Sequence, residues 1–252
     1  MSDFDRNVAA RGGFADRAVA IDAGLRAYML RVYNYMAAAV ALTGVVAWIT
    51  FNAAVTTDAA GKIVSLTSFG QAIFSGPLMI ALLLGTLGLV FFISFRIDRL
   101  QYTTAMTLFM IYSALLGVTL SSVFLTYTGA SITRVFFISA ASFGALSLYG
   151  YTTQRNLSAM GSFLIMGLFG IIIASLVNIF LKSSGLDWAI SVIGVGVFAG
   201  LTAYDTQRIK EMYDSMDDDG TLGRKAIMGA LSLYLDFINL FLMLLRLVGD
   251  RR

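Results

Sequence analysis

The 252-residue chain has no histidine, no cysteine and a single proline, and its 18 basic and 15 acidic residues make up only 13% of it. A soluble domain carries about 25% charged residues, so there is too little charge here to cover a water-facing surface. With 58% hydrophobic residues and a mean hydropathy of +0.80, the chain belongs in a membrane. Without histidine or cysteine it cannot build a zinc site of the usual kind, a thiolate nucleophile, a Ser-His-Asp triad, a His- or Cys-ligated haem or a disulfide. Proton and metal chemistry is left to Asp, Glu, Lys, Arg and Tyr. The net charge of +3 and pI near 9.2 do not argue for nucleic acid, because a chain that keeps Lys and Arg on its cytoplasmic side acquires this balance anyway. No nucleic-acid partner and no cofactor are expected.

What is present is a set of long apolar runs. Seven meet or approach the roughly 20 residues needed to cross a bilayer: 32–51, 77–95, 102–125, 132–149, 160–181, 188–206 and 227–248. Open sheets cannot span lipid, so the sequence predicts an all-α membrane protein, a seven-transmembrane-helix bundle over 28–252 preceded by a segment 1–27. The lone proline, Pro77, follows Gly76 at the start of the second run, where a first-turn proline loses no helical hydrogen bond. Gly196 and Gly200, and Ala140 and Gly144, stand at the spacing of close helix packing. In the first segment Phe14, Ala18, Ile21 and Leu25 recur at helical spacing among Asp16, Arg17, Asp22 and Arg26. This reads either as an amphipathic helix on the membrane surface or as a solvated lead-in. No apolar run precedes a small-residue cleavage site, so the first span is expected to act as an uncleaved anchor.

Charge sets the expected orientation. With a cytoplasmic amino terminus, twelve Lys and Arg fall on the cytoplasmic side and only Lys62, Arg134 and Lys182 on the other before the last helix. The end of the chain conflicts with this, because a full seventh crossing puts Arg246, Arg251 and Arg252 outside. Either the helix crosses despite its charged tail, or it turns back partway.

Asp236 carries the most information. It has nine uncharged residues on either side, and a carboxylate at that depth costs about 2.5 to 3.5 kcal/mol on the lenient insertion scale, so it should face protein or water. Steps of three and four place Gly229, Ser232, Asp236 and Asn239 on one small, polar stripe of an otherwise oily helix, making Ser232 and Asn239 candidate pore-lining residues. Asp205 ends the sixth run with Ser191, Gly194, Phe198 and Thr202 behind it, and Thr202 joins the pore-lining candidates. Alone, Asp205 reads equally as a membrane-exit residue paired with Arg208 or Lys210. Together, two carboxylates within about 3 to 4 Å cannot both ionise cheaply and share a proton. Such a pair senses pH without histidine and, deprotonated, offers hard oxygens suited to calcium, with Asn239, carbonyls and waters completing six to eight ligands. Arg96 closes the second run in FFISFRIDR and either snorkels to the headgroups with Arg99 or turns inward as a counter-ion. The acidic stretch EMYDSMDDDGTLGRK is not an EF-hand: aligned on Gly220, Ser215 and Ala226 fall where Asp and Glu are required.

Three segments, GPLMIALLLGTLGLVFFISFRIDR (76–99), FAGLTAYDTQRIKEMY (198–213) and ALSLYLDFINLFLMLLRL (230–247), resemble the Bax inhibitor-1, or transmembrane Bax inhibitor motif, family and its bacterial YccA-like branch. The resemblance implies a multi-pass protein of the plasma (inner) membrane, in which six helices surround the carboxy-terminal one and which forms a pH-sensitive calcium leak. It places the family's aspartate pair on Asp205 and Asp236 and its latching arginine on Arg96. It also implies an alternative, a non-conducting partner of a membrane-bound ATP-dependent protease. The chain is not read as an enzyme. Intramembrane aspartyl proteases pair GxGD and YD motifs, and although YD occurs at Tyr204, Asp236 follows Leu235 with no GxG before it.

Overall fold

The computed structural model describes residues 3–58 and 62–252, with side chains from residue 23 onward. The first helix, α1 (Asp3–Ala54), leads into a two-stranded antiparallel hairpin, β1 (Val55–Thr57) and β2 (Ile63–Leu66), in which Val55 pairs with Leu66. After the short α2 (Ser68–Phe74) come α3 (Pro77–Arg96), a 3-10 turn (Ile97–Arg99), α4 (Tyr102–Leu120), the four-residue α5 (Val123–Thr126), α6 (Gly129–Thr152), α7 (Ser158–Leu181), α8 (Ser184–Glu211) and α9 (Asp219–Val248). Among the described residues, seven helices are long and apolar enough to cross a membrane, the first of them over Ala23–Ala54. Each contains one predicted run. Pro77 sits at the first turn of α3 as expected. The amphipathic reading of 1–27 falls on side chains that, before residue 23, lie outside the described residues.

Burial identifies the centre. In α9, 67% of the most apolar window is buried, against 11% in both α3 and α7. The last helix packs directly on α1, α4, α6 and α8, whereas α3 packs chiefly on α4 and α7 on α8. Phe95 of α3 and Phe163, Phe169 and Phe180 of α7 are exposed, which suits faces whose solvent is lipid. Lipid tails are as apolar as the side chains, so helices associate through close contact and hydrogen bonds. Gly150 of α6 lies against the backbone of Ala203 on α8, where any Cβ would collide with the Ala203 carbonyl. Tyr234, fully buried on α9, shares a 2.6 Å hydrogen bond with Thr43 of α1 and meets Phe109 and Tyr112 of α4 edge-on. Of the small-residue pairs, Gly200 seats Leu164 of α7, while Gly196 and Gly144 have nothing within 4 Å of where a Cβ would be.

The chain ends resolve the conflict over the last span. The helix α9 crosses without turning back, and the tail lies at the end of the bundle that carries the hairpin. There Arg134 pairs with Asp250 at 3.0 Å, Asp187 stands 3.5 Å from Arg246 and 4.0 Å from Arg251, and the Arg252 backbone N–H donates to Thr126. Asp250 also donates its backbone N–H to Ser131, and Arg251 forms an isolated bridge with Tyr127. Asp187 and Asp250 thus supply local counter-charge for Arg134, Arg246 and Arg251. At the opposite, basic end, Asp218 caps α9 and Lys225 pairs with Asp217 while donating to the Met212 carbonyl.

Candidate functional site

Asp236 lies on the middle turns of α9, 5% exposed, and its Oδ2 has no hydrogen-bond partner among the described residues. An unpartnered carboxylate oxygen in a membrane interior is costly. Asp205 of α8 lines the same cavity as Asp236 and acts on its carboxyl electrostatically. Two carboxyls in one apolar cavity repel each other when both are ionised, and a proton on either relieves the repulsion. The two residues share one cavity because α8 and α9 pack along much of their lengths. Near the basic end the approach is close, with Gly229 against the side chain of Ile209.

The aspartates line a cavity of about 550 Å³ walled by α7, α8 and α9. Ser232 and Asn239 line it too, on the predicted stripe of α9, and Asn239 donates its amide to the Leu235 carbonyl. The wall from α7 is almost wholly apolar, including Leu168, Ile172 and Leu176. Thr202 does not line the cavity. It is fully buried with its hydroxyl committed to the Phe198 carbonyl, and the next turn's Thr206 donates to the Thr202 carbonyl and meets Ser147 of α6 at 2.9 Å. The cavity face of α8 is instead Phe198, Leu201, Tyr204, Asp205 and Arg208, and Thr202 lies on the face whose Thr206 meets Ser147 of α6.

The arginine beside the pair is also not the expected one. Arg96 is exposed at the end of α3 and makes no ion pair among the described residues, because α3 packs on α4 and not against the aspartate-bearing helices. The guanidinium at Asp205 belongs to Arg208, at 3.6 Å, one turn along the same helix. Arg208 also reaches Ser232 on α9 at 3.4 Å and lies over the Tyr204 ring at 5.8 Å. That ring packs on Gly161 of α7, where a Cβ would overlap it. The i,i+3 spacing of Asp205 and Arg208 is visible in the sequence, but the support from Tyr204, Gly161 and Ser232 comes from three different helices and has no local signal.

Among the described residues no group of three or more acidic side chains is placed to hold a metal. Two carboxylates, the Ser232 hydroxyl and the Asn239 amide offer at most six side-chain oxygens, the lower end of the six to eight that calcium takes.

Residues 25–252 match the family model described as inhibitor of apoptosis-promoting Bax1. An uncharacterized protein of Rickettsia prowazekii is 53% identical over 234 residues, covering 92% of both chains. The inner membrane protein YbhL of Escherichia coli is 48% identical over 240 residues, covering 94% of this chain and 97% of its own. An uncharacterized protein of Caulobacter vibrioides is 42% identical along the full length of both chains.

Proposed function

The chain belongs to the Bax inhibitor-1 family of multi-pass membrane proteins, and from that premise we propose that it is a pH-sensitive calcium-leak channel gated at Asp205 and Asp236. The observation that carries this reading is a buried carboxyl, Asp236, with an unpartnered oxygen, beside a second carboxyl on the wall of a membrane-embedded cavity. By analogy with its inner-membrane relative from Escherichia coli, the chain is placed in the bacterial inner membrane, its basic end in the cytoplasm in keeping with the positive-inside rule.

With one proton shared, the pair carries a single negative charge that Arg208 balances, and the cavity offers a cation no net attraction. Loss of that proton leaves two negative charges against one guanidinium, and the excess draws in a divalent cation. Calcium passage therefore rises as protons are removed. A latch by Arg96 instead requires α3 to leave α4, and flux through Arg96→Gln and Arg208→Gln distinguishes the two arginines.

Purified protein in liposomes loaded with a calcium dye provides the test. Influx should rise with pH and fall severalfold in Asp205→Asn and Asp236→Asn. Influx unchanged by both substitutions, or constant between roughly pH 6 and 8, the range expected of coupled carboxylates in an apolar site, would sink the mechanism.

A further inference from the structure

A second cavity, of about 390 Å³, opens at the hairpin end, where the α7–α8 connection meets the tail of the chain. Its lining includes Lys182, Arg246 and Arg251 against one carboxylate, Asp187. The charge is only partly answered within the protein. Lys182 pairs with no carboxylate among the described residues, and Arg246 and Arg251 stand 3.5 and 4.0 Å from Asp187, beyond good hydrogen-bond length. Most of the N–H groups on both guanidinium forks remain available. Asp187 brings the two arginines together and leaves the cavity with two positive charges in excess.

Neutral donors face the same space. Asn178 accepts from the Ser183 backbone N–H through its Oδ1, which leaves its amide hydrogens free. Lys182 holds a left-handed backbone at φ 50°, an arrangement that a non-glycine residue adopts only at some cost. Trp188 lines the cavity and is 64% exposed, and Phe180 and Leu181, just before Lys182 in the chain, are 85% and 64% exposed. Tryptophan beside cations at the end of a membrane span marks the headgroup layer.

We propose that this cavity binds a phosphate-bearing anion, held by Lys182, Arg246 and Arg251. Arginine forks match phosphate oxygens in bidentate geometry, and lysine adds a point charge. The chemistry is shared by an anionic phospholipid headgroup and by free phosphate. The site is independent of the aspartate pair, lying near the opposite ends of α8 and α9 from Arg208.

The test is thermal unfolding of the full chain in a neutral detergent at fixed ionic strength, titrated separately with short-chain phosphatidylglycerol, phosphatidylcholine of the same chain length, and inorganic phosphate. The midpoint should rise saturably with phosphatidylglycerol and much less with phosphatidylcholine. Lys182→Asn, in which asparagine tolerates the left-handed backbone, and Arg251→Gln should each weaken the apparent affinity about tenfold, the scale of one lost charge-assisted contact. Arg134→Gln, which removes a charge at the same end outside the cavity, should leave it unchanged. An equal saturable response to inorganic phosphate assigns the site to the free anion. The proposal is overturned if neither phosphatidylglycerol nor phosphate gives a saturable response, or if both cavity variants respond like the unaltered protein.

Discussion

One guanidinium nitrogen of Arg208 serves both helices of the aspartate pair, standing 3.6 Å from the Asp205 carboxylate on α8 and 3.4 Å from the Ser232 hydroxyl on α9. The Arg208 side chain is 42% exposed, so the contact contributes little to stability, as is usual for solvated pairs. Its consequence is electrostatic, a positive charge held beside the two carboxyls on the cavity wall.

Replacing Arg208 with Gln should therefore raise calcium influx severalfold and move its onset to lower pH, because the singly protonated pair then lacks its counter-charge. Thermal stability should change by less than about 1 kcal/mol. Dye-loaded liposomes at a series of pH values report the first effect and unfolding midpoints the second.

The absence of native cysteine gives a background-free topology experiment. Cysteine placed at Gln154 on the connection between α6 and α7, and at Ser183 between α7 and α8, should react with an impermeant maleimide from opposite sides of the membrane. A third at Arg252 should label from the same side as Ser183. Labelling of Arg252→Cys from the side of Gln154→Cys would contradict a complete last crossing.

At the α6–α8 crossing, Gly150→Ala places a methyl group into the Ala203 backbone carbonyl. The helices must separate, at a cost of about 1 to 3 kcal/mol as in other overpacked sites. Gly144→Ala, six residues earlier and facing open space, should be nearly neutral. Paired unfolding measurements in detergent separate the two.

Thr43 and Tyr234 share a 2.6 Å hydrogen bond across α1 and α9, and Thr43 also donates toward the Ala39 and Ser113 carbonyls. A double-mutant cycle with Thr43→Val and Tyr234→Phe should give a coupling energy of about 0.6 kcal/mol, the usual size for hydrogen bonds between membrane helices.

Asp218 lies outside the spans at the start of α9. Hydrogen bonds from the Thr221 hydroxyl and backbone N–H, and from the Gly220 backbone N–H, hold its carboxyl below the usual carboxylate range. Because the folded value lies below the unfolded one, the stabilisation is fully present above roughly pH 4 and is lost as pH falls through the folded value. The stability gap between the protein and Asp218→Ala should be open at neutral pH and close in acid, as followed by thermal unfolding across that range.

What is local along the chain is legible in the sequence. Twenty apolar residues in a row cannot be much other than a span, and Asp236 stands out because nothing charged lies near it along the chain. The stripe of Ser232 and Asn239 follows from helical period alone. Arg96 and Thr202 fared differently because their environments depend on which neighbour their helices choose. The helix α3 settles on α4, stranding Arg96, and the face of α8 bearing Thr202 and Thr206 meets α6 instead of the cavity. The contacts of the tail were equally hidden, since Asp250 and Arg134 are joined by folding and not by spacing.

Both ends of α9 are fastened, by the Asp218 cap and the Lys225 contacts at one end and by the Asp250, Arg251 and Arg252 contacts at the other. A helix pinned this way is a stator: it cannot slide along the membrane normal without releasing two sets of bonds at once. The remaining degrees of freedom belong to α7, which packs chiefly on α8, and to α3, which packs chiefly on α4. When either swings outward, lipid tails replace protein contacts of nearly equal apolarity. Of the two, only α7 walls the aspartate cavity, so the lipid-facing wall is the one that can widen it while the central helix keeps its place.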